Sequence, residues 1–225
     1  MDCSAPPGFR YHAAMWTTSR PPWPLLPIRF FLLVLVGVVG LEASAPYWAD
    51  DPPNALFLRI LQIAWMLLCV VRIDLWAALG MNRPVAADIR LFTYVAAACS
   101  AVSLTLLALP LGLLEQVAAP PIVVSWPGVL LFLLAGPVAE ELFFRGYIYG
   151  FLRQTFGISL SVAASALVFA LMHGSWAVPQ MAGGIVFALA YEYSRNLWVP
   201  VGLHIGANSA VLLAAWFAGA LPWSG

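Results

Sequence analysis

Lysine is absent from this chain, and charge of either sign is scarce. All ten basic residues are arginines, ten acids balance them, and charged residues make up only 9%. Soluble domains carry about a quarter, so a soluble globular fold is excluded. No basic patch offers itself to nucleic acid. Cysteine is rare too: Cys3, Cys69 and Cys99 form no CxxC and no disulfide framework, and read as small apolar residues. There is no HExxH helix, which removes the common zinc-protease signature. An aspartyl pair is missing, since Asp74, near a helix end, is the only candidate for an intramembrane aspartate. Ser209 does not sit in a GxSxG context.

Apolar length is what the chain has, with hydrophobic residues at 63%. Seven apolar segments cover about 25–41, 55–78, 90–114, 127–153, 158–174, 177–194 and 198–219, each near the roughly 20 residues a membrane helix needs. The fold class expected is an all-α polytopic transmembrane bundle of about seven spans, eight at most. Residues 1–24 read as a proline-rich irregular or membrane-surface tail, 25–124 as N-terminal helices and 125–219 as the functional core. The first apolar run starts near Leu25 without a clean cleavage site, Ala43–Ala45 being the nearest, and reads as a membrane span. A cytoplasmic N-terminus puts nine arginines on the cytoplasmic side. Arg59 alone then faces outward, with Glu42, Asp50, Asp51 and Glu115. Trp48, Trp126, Trp176 and Trp223 then mark the outer interface, and Trp23, Trp76 and Trp198 the inner one. A bacterial inner membrane is the expected location, on the short length and the arginine-only usage.

Two adjacent glutamates, Glu140 and Glu141, interrupt the apolar run Leu130–Leu152. A carboxylate at mid-bilayer costs about 2.5–3.5 kcal/mol even on lenient scales, and such residues are functional by default. Residues four apart share a helix face. Glu141 and Arg145 are so spaced, as are Phe169 and His173, and His204 and Asn208. Glu140 points about 100° away from Glu141. Along their helices Glu140 lies roughly 20 Å and His173 roughly 23 Å from the cytoplasmic end, against roughly 10 and 15 Å for His204 and Asn208. A modest tilt brings all four together. A carboxylate, two imidazoles and a carboxamide in a dry cavity suit amide hydrolysis. Glu140 with His173 can activate water, and His204 with Asn208 can donate to the oxyanion. Glu140, His173 and His204 also make a possible His₂Glu zinc set. Intramembrane Glu, His and Arg mark proton relays as well. A proton-coupled transporter is therefore the rival, against which stand the short chain and the lack of an inverted repeat.

The runs EELFFR (Glu140–Arg145), FALMH (Phe169–His173) and HIGAN (His204–Asn208) resemble the three motifs of the CAAX-protease and bacteriocin-processing (CPBP, Abi) family. That pattern is EExxxR, FxxxH and HxxxN, and the likeness covers about 125–215. The resemblance implies an intramembrane glutamic-type endopeptidase, formerly classed as a metalloenzyme. Glu140 would be the base, His173 its partner on the water, and His204 and Asn208 the oxyanion site. Glu141 and Arg145 would form a structural ion pair, and Phe169 would pack. It implies a membrane-anchored protein or peptide substrate, prenylated CAAX-like or with a C-terminal sorting tail. No cofactor is expected, with zinc on Glu140, His173 and His204 as the alternative. Nothing in the motifs selects a subfamily, an oligomeric state or a side of substrate entry.

Overall fold

The computed structural model describes residues 26–73, 76, 79–108, 125–173 and 177–217. Seven helices occupy them, and no strand occurs among the described residues. They are α1 (Ile28–Ser44), α2 (Pro52–Ile73), α3 (Ala86–Ala108), α4 (Trp126–Leu152), α5 (Ile158–Leu171), α6 (Ala177–Ser194) and α7 (Trp198–Phe217). Each falls on one of the seven apolar segments, which makes the chain a helical membrane bundle. α1, α2, α4 and α7 are long and apolar enough to cross a membrane. α5 is equally apolar but has 14 residues, or about 21 Å against a hydrocarbon core of about 30 Å. The expected tail 1–24, with Cys3 and His12, lies outside the described residues. So do Asp74, Glu115, Gly174, Trp176 and Trp223.

Opposite ends of the bundle are tied by different contacts. At one end the chain between α2 and α3 meets the turn between α6 and α7. Leu197 N–H donates to Gly80 O at 2.9 Å, and Asn196 Nδ2 donates to Asp88 Oδ2 at 3.0 Å. Gly80 adopts φ +65°, and a Cβ there would sit 2.6 Å from Arg195 O, so only glycine fits this crossing. Beside it Arg153 clamps Glu192 with Nε and Nη2 at 3.0 and 3.1 Å, and Tyr149 Oη donates to the same carboxylate at 2.8 Å. These hydrogen bonds to Glu192 hold the Arg153 guanidinium above its ordinary pKa. Near the connection between α1 and α2, Arg59 pairs with Glu42 at 2.6 Å, and the buried Gln62 bonds both. The sequence puts Arg59 and Glu42 on one side of the bundle, but their pairing and the part of Gln62 in it appear only in the structure.

The core forms around α4. α1 buries Phe30, Val34 and Val38, a stripe that Leu26 just before the helix extends at the same four-residue spacing, against α2 and α4. Its other face, with Leu32, Leu33, Val36 and Val39 exposed, is apolar and suits lipid. Ten consecutive residues of α4, Glu141 to Gly150, are buried all round. A helix covered on every side has neighbours on every side, and α2, α5, α6 and α7 supply them. α5 and α6 approach closely because a glycine faces an alanine, a Cβ on Gly184 lying only 3.1 Å from Ala166.

Candidate active site

α4 leaves regular helical geometry twice, at Leu131–Ala135 and Leu142–Tyr149, where the turns widen to π-helix. Such turns are rare and gather at functional sites. They bracket Gly136–Glu141, the ordinary α-helical stretch that carries both glutamates. At the first, Gly136 N–H donates to Leu131 O, and a Cβ on Gly136 would meet that oxygen at 2.9 Å. Glycine therefore permits the wide turn just before the site.

Glu140, His173 and His204 converge. Glu140 Oε2 stands 3.7 Å from His173 Nε2 and 3.9 Å from His204 Nε2. His204 also reaches the other glutamate: its Nδ1 lies 2.8 Å from Glu141 Oε1. The two carboxylates diverge, yet His204 bridges them, which helix geometry on α4 alone did not show. His173 lies two residues beyond the end of α5, in a turn closed by its N–H on Ala170 O at 3.0 Å. Glycine, a poor helix former, is next in sequence. The imidazole is thus freed from the helix face while its Nδ1 is held on Phe169 O at 2.7 Å.

Both ring nitrogens can be assigned from their partners. A backbone carbonyl and a carboxylate only accept hydrogen bonds, so Nδ1 carries the proton in His173 and in His204. Each Nε2 is then turned toward Glu140. Exposure separates the members: Glu141 and Arg145 are fully buried, whereas the side chains of His173 and Glu140 are 25% and 22% exposed. Glu140 and His173 form the accessible part of the site.

Arg145 Nε lies 3.1 Å from Glu141 Oε2, out of line for a hydrogen bond but well inside ion-pair range. Its Nη2 donates to Gly184 O at 3.1 Å. The guanidinium is flanked by Phe169, Phe187 and Phe144 at 4.7, 5.4 and 5.9 Å. Phe169 does more than fill space: its ring also lies 4.5 Å from that of His173. Phe187 stacks on His204 at 4.9 Å. No sequence signal marks Phe187, because a phenylalanine in an apolar helix looks like core.

Asn208 stands one turn beyond His204 on α7. Its Nδ2 donates to Phe132 O at 2.7 Å, on the turn of α4 before the glutamates. The structure thus brings Glu140, Glu141, His173 and His204 into one cluster and places Asn208 beside it, tied to the α4 backbone.

The three motifs lie on α4, at the end of α5 and the turn after it, and on α7. Residues 122–210 match the family model described as type II CAAX prenyl endopeptidase Rce1-like. Over this stretch the chain is similar to that family. The likeness to CAAX proteases read from the three motifs is therefore borne out where those motifs fall. Two curated bacterial relatives are similar. The chain is 32% identical over 88 residues to the membrane-embedded CAAX protease MroQ of Staphylococcus aureus (strain USA300), covering 36% of each protein. It is 25% identical over 104 residues to the inferred membrane peptidase YdiL of Bacillus subtilis (strain 168), covering 45% of this chain and 41% of YdiL. The chain spans about two fifths of the length of the curated relatives it matches. No solved structure matches it.

Proposed function

We propose that this chain is an intramembrane endopeptidase of glutamic type. Its substrate is a membrane-associated protein or peptide cut near its C-terminus, at a prenylated CAAX-like end or a sorting tail. The observation that carries the reading is the separation of Glu140 Oε2 from two imidazole nitrogens, 3.7 and 3.9 Å. These gaps are too long for direct hydrogen bonds and suit one shared water. With Nδ1–H on Phe169 O, a neutral His173 presents a lone pair at Nε2. A water can then donate one hydrogen to Glu140 and the other to His173, leaving its own lone pair for the scissile carbonyl. Glu140 takes the proton as the C–O bond forms, and returns it to the leaving amine as the C–N bond breaks.

The oxyanion needs donors. His204 can give Nε2–H only as imidazolium, because Nδ1–H is committed to Glu141. Asn208 supplies the second donor, since its Nδ2 keeps one N–H after bonding Phe132. This reading uses no cofactor. Zinc is the alternative for Glu140, His173 and His204, and histidines tied at Nδ1 are the usual second layer of a metal site.

The test is Glu140→Gln, with mass spectrometry of C-terminal fragments from membranes of cells that carry either form. A membrane protein should accumulate unprocessed in the variant. Processing at the parent's rate would end the hydrolase reading. Activity should also survive a strong chelator; loss on chelation with recovery on zinc would move the reading to the metal form.

A further inference from the structure

The Phe132–Asn208 bond has a cause in the sequence of α4. A helical carbonyl is normally taken by the N–H four residues later, or five in a π turn. For Phe132 these are residues 136 and 137. Gly136 N–H is already committed to Leu131 O. Residue 137 is proline and has no N–H. Neither helical donor is available to the Phe132 carbonyl, and Asn208 Nδ2 occupies it at 2.7 Å.

Carboxamides rotate readily and can present either oxygen or nitrogen. A carbonyl fixed on the neighbouring helix accepts only N–H, so it selects which end of Asn208 faces α4. Pro137 itself is buried, three residues before Glu140 and on the stretch that carries it. We propose that Pro137 is a positioning residue: by leaving the Phe132 carbonyl free, it creates the acceptor that orients Asn208 and holds α7 against the turn before Glu140. The proposal rests on the endopeptidase reading for its kinetic consequence, and on the geometry alone for its structural one.

A double-mutant cycle separates the two. Pro137→Ala restores an N–H that can serve the Phe132 carbonyl from within α4. The four proteins (parent, P137A, N208A and P137A/N208A) are purified and reconstituted in lipid vesicles. Their melting temperatures are measured, with turnover of a quenched fluorescent peptide whose farnesylated cysteine precedes the last three residues. N208A should lower the melting temperature by a few degrees in the parent background and by much less beside P137A. P137A should lower kcat by about 10- to 100-fold with KM nearly unchanged, the scale of a misplaced catalytic group. N208A should then add little. Equal effects of N208A in both backgrounds, on melting and on kcat, would overturn the proposal, as would a P137A enzyme with the parent's kcat. If the parent does not turn over the peptide, the endopeptidase reading is what fails for that substrate, and the melting cycle still decides the positioning. A direct reading needs no proline variant. With carbonyl-labelled phenylalanine, the infrared difference between N208A and parent should show one amide carbonyl moved to higher frequency, and no moved band would refute the bond.

Discussion

Arg145→Met puts the charge balance of the cluster to its hardest test. Arg145 and Glu141 are both fully inaccessible and 3.1 Å apart. Removing one partner of a buried pair costs about 3–5 kcal/mol, because the other charge is stranded. Glu141 would keep only its contact with His204 Nδ1 at 2.8 Å. Methionine fills the space between Phe144, Phe169 and Phe187 well, so lost packing adds little. The expected fall of about 3–5 kcal/mol is a large part of the 5–15 kcal/mol that holds a typical protein together. Replacing Glu141 by methionine as well removes the stranded charge. Apolar replacement of a whole buried pair is often near neutral, leaving the His204 N–H without its acceptor at a cost of about 1–3 kcal/mol. The double variant should thus be more stable than the single one, while both are inactive. Unfolding in detergent, followed by tryptophan fluorescence, measures the difference. A single variant within about 1 kcal/mol of the parent, or a double variant less stable than the single, would refute the reasoning.

Two further outcomes follow from the same geometry. Glu141→Gln keeps the shape but removes the anion that fixes Nδ1–H on His204. Losing such an outer partner costs about 10- to 100-fold in activity, which should appear in kcat, while unchanged turnover would show that His204 is oriented otherwise. Gly184→Ala places a methyl 3.1 Å from Ala166 and forces α5 from α6. Overpacking of this kind costs about 1–3 kcal/mol, and a scan showing no drop in melting temperature would contradict the close packing.

The helices were legible because apolar runs of membrane length leave few alternatives. The site was legible for the opposite reason: ionisable residues inside such runs are costly enough to stand out. Glu140, Glu141, Arg145, His173 and His204 were all found that way, and the helical offset of the two glutamates followed from one angle. What escaped depended on contacts between helices. Spacing on α4 could not show that His204, on α7, would bridge both carboxylates. Phe187 and Gly184 are apolar and small, so their roles at His204 and Arg145 exist only in the packed structure. The π turns escaped because they result from neighbours as much as from Gly136 and Pro137. The depth estimate for His204 counted α7 from the membrane surface. Asn196 and Leu197, just before that helix, are instead buried within the protein.

The ion pair on α4 also bears on how the protein is made. Glu141 acquires its second partner from His204, 63 residues further along the chain. At synthesis rates of about 5–20 residues per second, roughly 3–13 s separate the two. During that interval α4 has no α7 beside it to supply a partner for Glu141. Arg145, one turn away on the same helix, emerges almost at once and can neutralise Glu141 unaided. A counter-ion carried within the segment makes insertion independent of partners not yet translated, and His204 can arrive later to find a charge already held in place.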